Sequence, residues 1–151
     1  MNLTEHFTLA ELTNSDTGTR AGIDNTPNVE QITNLQRLCR DTLEHVRTLS
    51  GNKTIRSSSG FRCPKLNKLI GGSPTSDHMN GNAVDFRIDG MSVTETVEMI
   101  MKSDIPFDQL IHEFDRWTHI SNKGSDNRRE VLRAIKQNGK TVYEKYVPKT
   151  S

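Results

Sequence analysis

The chain has 151 residues, a length that suits one domain with a sufficient hydrophobic core, and we expect a single domain over residues 1–151. Lys and Arg number 20 and Asp and Glu number 19, so the chain lacks the basic excess on which nucleic-acid binding depends. Hydrophobic residues make up 32% and charged residues 26%, which predicts a compact core under a polar surface. Nucleic acid is therefore a poor candidate partner.

Membrane insertion and secretion are not expected from the sequence. The first twelve residues lack the positively charged region and the apolar run of a secretory signal peptide, and no apolar run reaches the roughly 18 residues that a membrane span needs. Cys39 and Cys63 show no C-x-x-C spacing, and we expect two free thiols. The expected product starts in the cytoplasm, without membrane insertion, and is a monomer.

The first half of the chain predicts helices. Thr8 and Glu11 form the Ser/Thr-x-x-Glu pattern that is typical of a helix start. Apolar residues recur at steps of three and four over residues 29–49, which predicts the main core helix. A shorter helix is predicted over residues 64–70, and the composition of residues 14–28 predicts an irregular segment.

The second half predicts strands around one further helix that starts near Ser92. Residues 83–88 alternate, so Asp85 is predicted to point away from the apolar face. Residues 109–114 and 117–121 predict one antiparallel hairpin. Residues 131–135 and 141–147 predict a second hairpin around an Asn-Gly turn. A short strand is also predicted over residues 53–56.

Two stretches carry the candidate chemistry. S-D-H-M-N-G-N-A-V-D-F contains His78 and Asp85, and E-F-D-R-W-T-H-I-S contains Glu113 and His119. Two imidazoles and a carboxylate are a plausible ligand set for zinc with a fourth position left for water. Zinc lowers the pKa of its water to around 7, and hydrolysis also needs a base, for which Glu113 is the candidate.

Spacing alone does not establish this site. The chain has five histidines and 19 acidic residues, so a His followed seven positions later by an Asp also arises by chance. A single Arg at a junction of strand, loop and helix, such as Arg62, is more often a surface residue than a functional one.

Several motifs together resemble a known family. S-D-H-M-N-G-N-A-V-D-F is similar to the S-x-H-x-x-G-x-A-x-D signature of the zinc D-alanyl-D-alanine carboxypeptidase family, the M15 peptidases, and W-T-H-I-S is similar to its second signature. S-S-G-F-R-C-P-K-L-N resembles the family stretch S-G-[YF]-R-S-P-x-L-N. E-H-F-T-L-A-E-L resembles the opening of one branch. The resemblance covers roughly residues 5–121, which is most of the chain.

The resemblance implies an α+β fold in which helices pack on a small central antiparallel sheet, as in hedgehog signalling domains. It implies that zinc is bound by His78, Asp85 and His119, and that Arg62 stabilises the oxyanion. Several members place the base three residues before the last His, where this chain has Arg116. Others place a Glu six residues before it, which corresponds to Glu113, and we favour Glu113 over Asp115. His112 is expected to lie outside the ligand set.

The function implied by the resemblance is hydrolysis of amide bonds in peptidoglycan stem peptides that contain D-amino acids. Both an endopeptidase and a D-Ala-D-Ala carboxypeptidase remain open. Phage members of this size resemble endolysins that stay in the cytoplasm until they are released to act at the bacterial cell wall. The alternative is a non-catalytic module that contains zinc and binds cell wall or a partner.

Overall fold

The computed structural model describes residues 1–149, which contain six β-strands. The strands are β1 (Ile55–Ser59), β2 (Ala83–Ile88), β3 (Gln109–Glu113), β4 (Trp117–Ser121), β5 (Glu130–Gln137) and β6 (Lys140–Lys145). They form one sheet in the order β1-β2-β4-β3-β5-β6. The predicted α+β class is confirmed, and the sequence pattern located each strand to within a few residues.

The sheet is mixed, which differs from the expected antiparallel sheet at one position. All neighbouring strands run antiparallel except β3 and β5, which are parallel. The loop of residues 122–129 reverses the chain after β4, and β5 then pairs with β3. Because β4 is itself antiparallel to β3, a strand that reverses direction after β4 runs parallel to β3.

Helices occupy the segments between the strands. They are α1 (Leu9–Thr13), α2 (Asp16–Arg20), α3 (Val29–Leu38), α4 (Glu44–Leu49), α5 (Pro64–Leu69) and α6 (Val93–Met101). One π-helical segment, Cys39–Leu43, joins α3 to α4, so the predicted core helix is continuous. The predicted irregular segment is wrong over α2, because the Ser15 hydroxyl accepts a hydrogen bond from the Gly18 amide and caps a short helix there.

The main hydrophobic cluster covers one face of the sheet. Leu35 and Leu38 of α3 belong to the same buried cluster as Val84 and Phe86 of β2 and Ile120 of β4. Burial of each such side chain contributes about 1.5–3 kcal/mol relative to exposure. The opposite face carries the remaining alternate residues of β2, β3 and β4, and the chemistry lies there. Within the described chain, no helix combines the length and apolar character that a membrane span requires.

Both hairpin turns use left-handed backbone conformations. Asn138 and Gly139 have φ angles of 53° and 77°, as the Asn-Gly turn signal predicts. Phe114 and Asp115, which give no such signal, both have φ angles of 58°, and the Arg116 amide donates to the Glu113 carbonyl at 2.9 Å. These values fit a type I′ turn, whose twist matches that of the flanking strands.

Candidate metal centre and active-site cleft

The predicted ligands converge on the sheet face opposite the hydrophobic cluster. Asp85 of β2 and His119 of β4 are direct cross-strand partners, so their side chains leave the sheet on the same side. His78 approaches from a 3₁₀ turn, Asp77–Asn80, that precedes β2. One side-chain atom from each of the three buried residues lies within 4.8 Å of the others.

The distances suit a small cation with nitrogen and oxygen ligands. His78 Nε2 lies 3.4 Å and His119 Nδ1 lies 2.9 Å from the same oxygen, Asp85 Oδ1. Two atoms bound to one tetrahedral zinc ion at about 2.1 Å each are about 3.4 Å apart. Among residues 1–149, this is the group of His, Cys, Asp and Glu side chains whose ligand atoms are close enough to share an ion. The donor set and its geometry therefore fit zinc.

A backbone contact fixes the orientation of His78. Its Nδ1–H donates a hydrogen bond to the Gly60 carbonyl oxygen at 2.7 Å, so Nε2 is the ring nitrogen that faces Asp85. Gly60 packs against α1 so closely that a Cβ there would lie 2.2 Å from the Leu12 carbonyl oxygen. Because Gly60 has no side chain, its backbone can pack against Leu12 while its carbonyl accepts the hydrogen bond from the His78 imidazole.

The turn around His78 also depends on its neighbours. The Ser76 hydroxyl accepts a hydrogen bond from the His78 amide at 3.2 Å and caps the 3₁₀ turn. Gly81 ends the turn with a φ of 78°, and a Cβ there would lie 2.5 Å from the Gln31 carbonyl oxygen of α3. The Ser76 hydroxyl thus contacts the backbone of His78, whereas the imidazole N–H of His78 is paired with the Gly60 carbonyl.

Electrostatic interactions couple the three candidate ligands. Burial disfavours the charged form of Asp85, but the positive charge of His78 and the hydrogen bond from His119 outweigh it and hold the pKa of Asp85 well below its usual range. Burial lowers the pKa of His78. Burial opposes protonation of His119 as well, yet the hydrogen bond and charge of Asp85 raise its pKa. The group thus keeps an ionised carboxylate in a buried position.

Glu113 lies beside this group on the same face. It ends β3, and its Oε1 is 3.9 Å from His119 Nδ1. Burial, followed by the negative charge of Asp85, raises the pKa of Glu113 to about 7. Trp117 is the cross-strand partner of Glu113. Its indole N–H makes no hydrogen bond of good geometry within residues 1–149. The N–H nevertheless favours the ionised carboxylate and so partly offsets the rise in the pKa of Glu113. Glu113 therefore exchanges a proton readily near neutral pH.

Arg62 enters from the segment between β1 and α5. Its amide donates to the His78 carbonyl at 3.1 Å, and its Nη2 donates to the Ser76 hydroxyl at 3.3 Å. Its Nε is buried and has no hydrogen-bond partner in the described part of the chain. Burial lowers the pKa of Arg62, while the charges of Asp85 and Glu113 oppose that change. Arg62 is thus held beside the candidate ligands, and its Nε–H has no acceptor among the described residues.

These side chains line one open cleft of about 590 Å³. The sheet forms its floor, from Asp85 across His119 and Glu113 to the β5–β6 hairpin, and residues 70–78 form a wall above it. Trp117 also lines the cleft. The cleft is large enough to hold a short peptide segment.

Other candidates from the sequence lie elsewhere. Asp115 is 84% exposed and contacts His112, whose Nε2 is 3.1 Å away. His112 is buried and lies on the opposite side of β3 from Glu113, with Thr94 as a further partner at 3.0 Å. Cys39 is buried, Cys63 is half-buried, and neither is in a disulfide.

Sequence analysis missed several cleft residues. The carbonyl of Gly60 carries no side-chain signal, so its contact with His78 was not predicted. Leu132 of β5 and Thr141 and Tyr143 of β6 also line the cleft. Alternation along β6 could have placed Thr141 and Tyr143 on one face, but no local signal indicates that this face adjoins Glu113.

Comparison with known families gives the class of protein. A family model described as Peptidase M15 matches residues 5–121, a range that includes the three candidate ligands, Glu113 and Arg62. No curated protein matches the chain. The class is therefore metallopeptidase. The chain belongs to the Peptidase M15 family, and the resemblance noted in its motifs is confirmed. Strands β5 and β6 lie beyond the matched range.

Proposed function

We propose that the protein is a zinc-dependent peptidoglycan peptidase that hydrolyses amide bonds in stem peptides containing D-amino acids. Family membership supports a metal-dependent peptidase. The observation that carries the proposal is the convergence of His78, Asp85 and His119 at the floor of an open cleft, beside a half-buried carboxylate, Glu113, and an arginine. This combination contains the groups that amide hydrolysis requires.

Zinc would be held by His78 Nε2, Asp85 Oδ1 and His119 Nδ1, which lie close together without any change of rotamer. When bound, zinc supplies Lewis-acid activation of water and of the scissile carbonyl. Asp85 keeps its negative charge for this purpose, since its pKa lies well below its usual range. Gly60 holds the His78 ring so that Nε2 stays directed at the shared position.

Glu113 is the proposed general base. Its carboxylate lies on the ligand side of β3 and 3.9 Å from His119, within reach of a water in the cleft. It takes a proton from the attacking water and returns that proton to the leaving amine. Asp115 is less suited, because its carboxylate is exposed and contacts His112 on the other face of the strand.

Arg62 is proposed to bind the carbonyl oxygen as negative charge develops on it. Arg62 lines the cleft, and among the described residues its Nε has no hydrogen-bond partner. A fixed, always-charged donor stabilises an oxyanion more strongly than a neutral one. The contact with Ser76 limits the movement of the side chain.

The peptidoglycan substrate follows from the family resemblance of the signature motifs. The same resemblance supports an endolysin of a phage or prophage, retained in the cytoplasm until it is released to the cell wall. The cleft is open to solvent, so the proposal includes an endopeptidase as well as a carboxypeptidase.

The test is digestion of purified peptidoglycan by the zinc-loaded protein, with mass spectrometry of the released muropeptides. We expect new amine termini or free D-Ala. Glu113→Gln should lower the rate by about 10²- to 10⁴-fold while zinc stays stoichiometric, because it removes the base and no proposed ligand. Asp115→Asn is the matched control and should keep full activity. If the protein binds peptidoglycan but does not cleave it, the proposed peptidase function is wrong and the protein is a non-catalytic module that contains zinc.

A further inference from the structure

The cleft continues past Glu113 onto the β5–β6 hairpin. Trp117, Glu113, Ala134 and Tyr143 are aligned across four neighbouring strands by direct strand pairing, so their side chains share one face. Ala134 is small and fully buried, and Glu113 and Tyr143, its neighbours on either side, line the cleft. Tyr143 is 55% exposed and lines the cleft at the far end of this row.

The phenol of Tyr143 lies within electrostatic reach of the reaction centre. Partial burial raises its pKa, and the negative charges of Glu113 and Asp85 add to this effect. A protonated phenol is a hydrogen-bond donor with an apolar ring, a combination that suits contact with a peptide. The position of Tyr143 is therefore that of a substrate contact rather than of a core residue.

A positive charge lies at the same end of the cleft. The Lys136 ammonium donates to the Thr141 hydroxyl at 3.1 Å and lies 5.4 Å from the ring centre of Phe114. Both of these partners line the cleft, and Lys136 itself is exposed. An ammonium in this position attracts a carboxylate and can donate a charge-assisted hydrogen bond to it.

The order of the groups across the sheet gives the substrate a direction. Arg62, the proposed oxyanion contact, follows β1, and the candidate metal ligands lie over β2 and β4. Glu113 comes next, on β3, and the β5–β6 hairpin lies beyond it. A base that returns its proton to the leaving amine must lie beside that amine. The segment that follows the scissile bond therefore extends over the hairpin.

We propose that the β5–β6 hairpin forms the subsite for the residue on the amine side of the scissile bond, with Tyr143 as its specificity-determining side chain and Lys136 as the receptor for a carboxylate of that residue. This proposal rests on the proposed peptidase function and adds to it a substrate class, peptides with a carboxylate on the amine side. The hairpin lies outside the range matched by the family, so family membership does not assign this subsite.

The first experiment measures cleavage of a defined stem peptide by Tyr143→Ala. Loss of the ring and the hydroxyl should reduce kcat/KM about tenfold, mainly through KM, with unchanged zinc content. Tyr143→Phe keeps the ring and separates its contact from that of the hydroxyl. Glu144→Ala is the matched control, because Glu144 is exposed on the opposite face of the same strand and should leave kcat/KM unchanged. Wild-type kinetics in Tyr143→Ala would overturn the proposal.

The second experiment tests the carboxylate. Three substrates share the acyl side and carry, on the amine side, all carboxylates free, the terminal carboxylate amidated, or the side-chain carboxylate amidated. Wild-type protein should prefer the free form about tenfold over one of the amides, which identifies the carboxylate that is bound. Lys136→Ala should abolish the preference, and Lys140→Ala, on the opposite face of β6, should retain it. A preference that persists in Lys136→Ala would contradict the role of Lys136.

A binding readout separates this inference from the proposed function. Trp117 is the single tryptophan of the chain and lines the cleft, so its fluorescence reports occupancy without turnover. Titration with the amine-side product peptide should change the fluorescence of wild-type protein, with weaker binding in Tyr143→Ala and Lys136→Ala. If the product binds in this way but no substrate is cleaved, the proposed peptidase function is wrong and the proposed subsite is supported. If substrate is cleaved but both variants bind the product as wild-type protein does, the proposed subsite is wrong and the peptidase function is supported.

Discussion

Two buried aspartates on neighbouring parts of the sheet have different surroundings. Asp85 faces the cleft, and its contacts are the imidazoles of His78 and His119. Asp108, just before β3, is fully buried and is paired with Arg128, whose Nε and Nη2 donate to its two oxygens at 3.1 and 2.8 Å. The Arg128 amide donates to the same carboxylate at 2.9 Å. Both aspartates have a lowered pKa.

The difference between them lies in the partners. A guanidinium is always charged, so the Asp108 carboxylate is neutralised within the fold and needs nothing further. The imidazoles beside Asp85 can give up their protons, so a cation can replace those protons as the positive partner of the Asp85 carboxylate. A buried carboxylate therefore indicates a candidate cation site when its positive neighbours are groups that can be deprotonated.

The largest expected effect separates the two aspartates by metal content. Asp85→Ala removes a proposed ligand, and we expect loss of stoichiometric zinc and a fall in peptidase activity of more than about 10³-fold. Asp108→Ala should keep its zinc when it is measured under conditions in which the variant is folded. Metal analysis together with circular dichroism checks both variants. Stoichiometric zinc in folded Asp85→Ala would remove Asp85 from the ligand set.

The second prediction concerns the effect of zinc on stability. A ligand that binds only the folded state at about 1,000 times its Kd stabilises that state by about 4 kcal/mol. Zinc should therefore raise the Tm of wild-type protein, and a chelator should reverse the change. Asp108→Ala should show a similar increment from a lower starting Tm, whereas Asp85→Ala should show almost none. Equal increments in the two variants would contradict the comparison.

The third prediction concerns the pH dependence of the Asp108 pair. The hydrogen bonds and charge of Arg128 outweigh burial and lower the pKa of Asp108 in the folded state, so its stabilisation is complete above the unfolded value near 4 and is lost as pH falls through the folded pKa. Asp108→Asn should lower the free energy of unfolding by about 1.5–3 kcal/mol at pH 7, because it weakens the hydrogen bonds between a buried carboxylate and a half-exposed guanidinium. Urea unfolding should show that this difference shrinks below about pH 4. A difference that grows on acidification would refute the assignment.

The smallest effect is expected at Asp115, which was the alternative base. Its carboxylate is exposed, and ion pairs of exposed groups contribute about 0–1 kcal/mol. Asp115→Asn should therefore change Tm by little and leave kcat within about twofold of wild type, because Asp115 faces away from the cleft. A loss of activity comparable to that of Glu113→Gln would transfer the role of base to Asp115.

Local sequence signals predicted most of the secondary structure. The apolar recurrence over residues 29–49 gave the α3–α4 helix, and the alternation around Asp85 placed its carboxylate away from the hydrophobic cluster. The Asn138-Gly139 turn was found because positive φ angles favour these two residues. The Phe114-Asp115 turn gave no such signal, since neither residue prefers that conformation. The ligand roles of His78, Asp85 and His119 stay predictions that the metal analysis will test.

The sequence by itself determined the approximate bounds of most helices and strands, because caps, turns and periodicity act over a few neighbouring residues. The α+β class and the candidate site residues came from the resemblance of its motifs to the M15 family. Only the tertiary structure decided that β4 pairs with β2, which brings His119 opposite Asp85. It also decided that β5 lies parallel to β3 and extends the cleft to Tyr143. Strand pairing depends on hydrogen bonds and burial between distant segments, and the local pattern of either strand does not specify its partner.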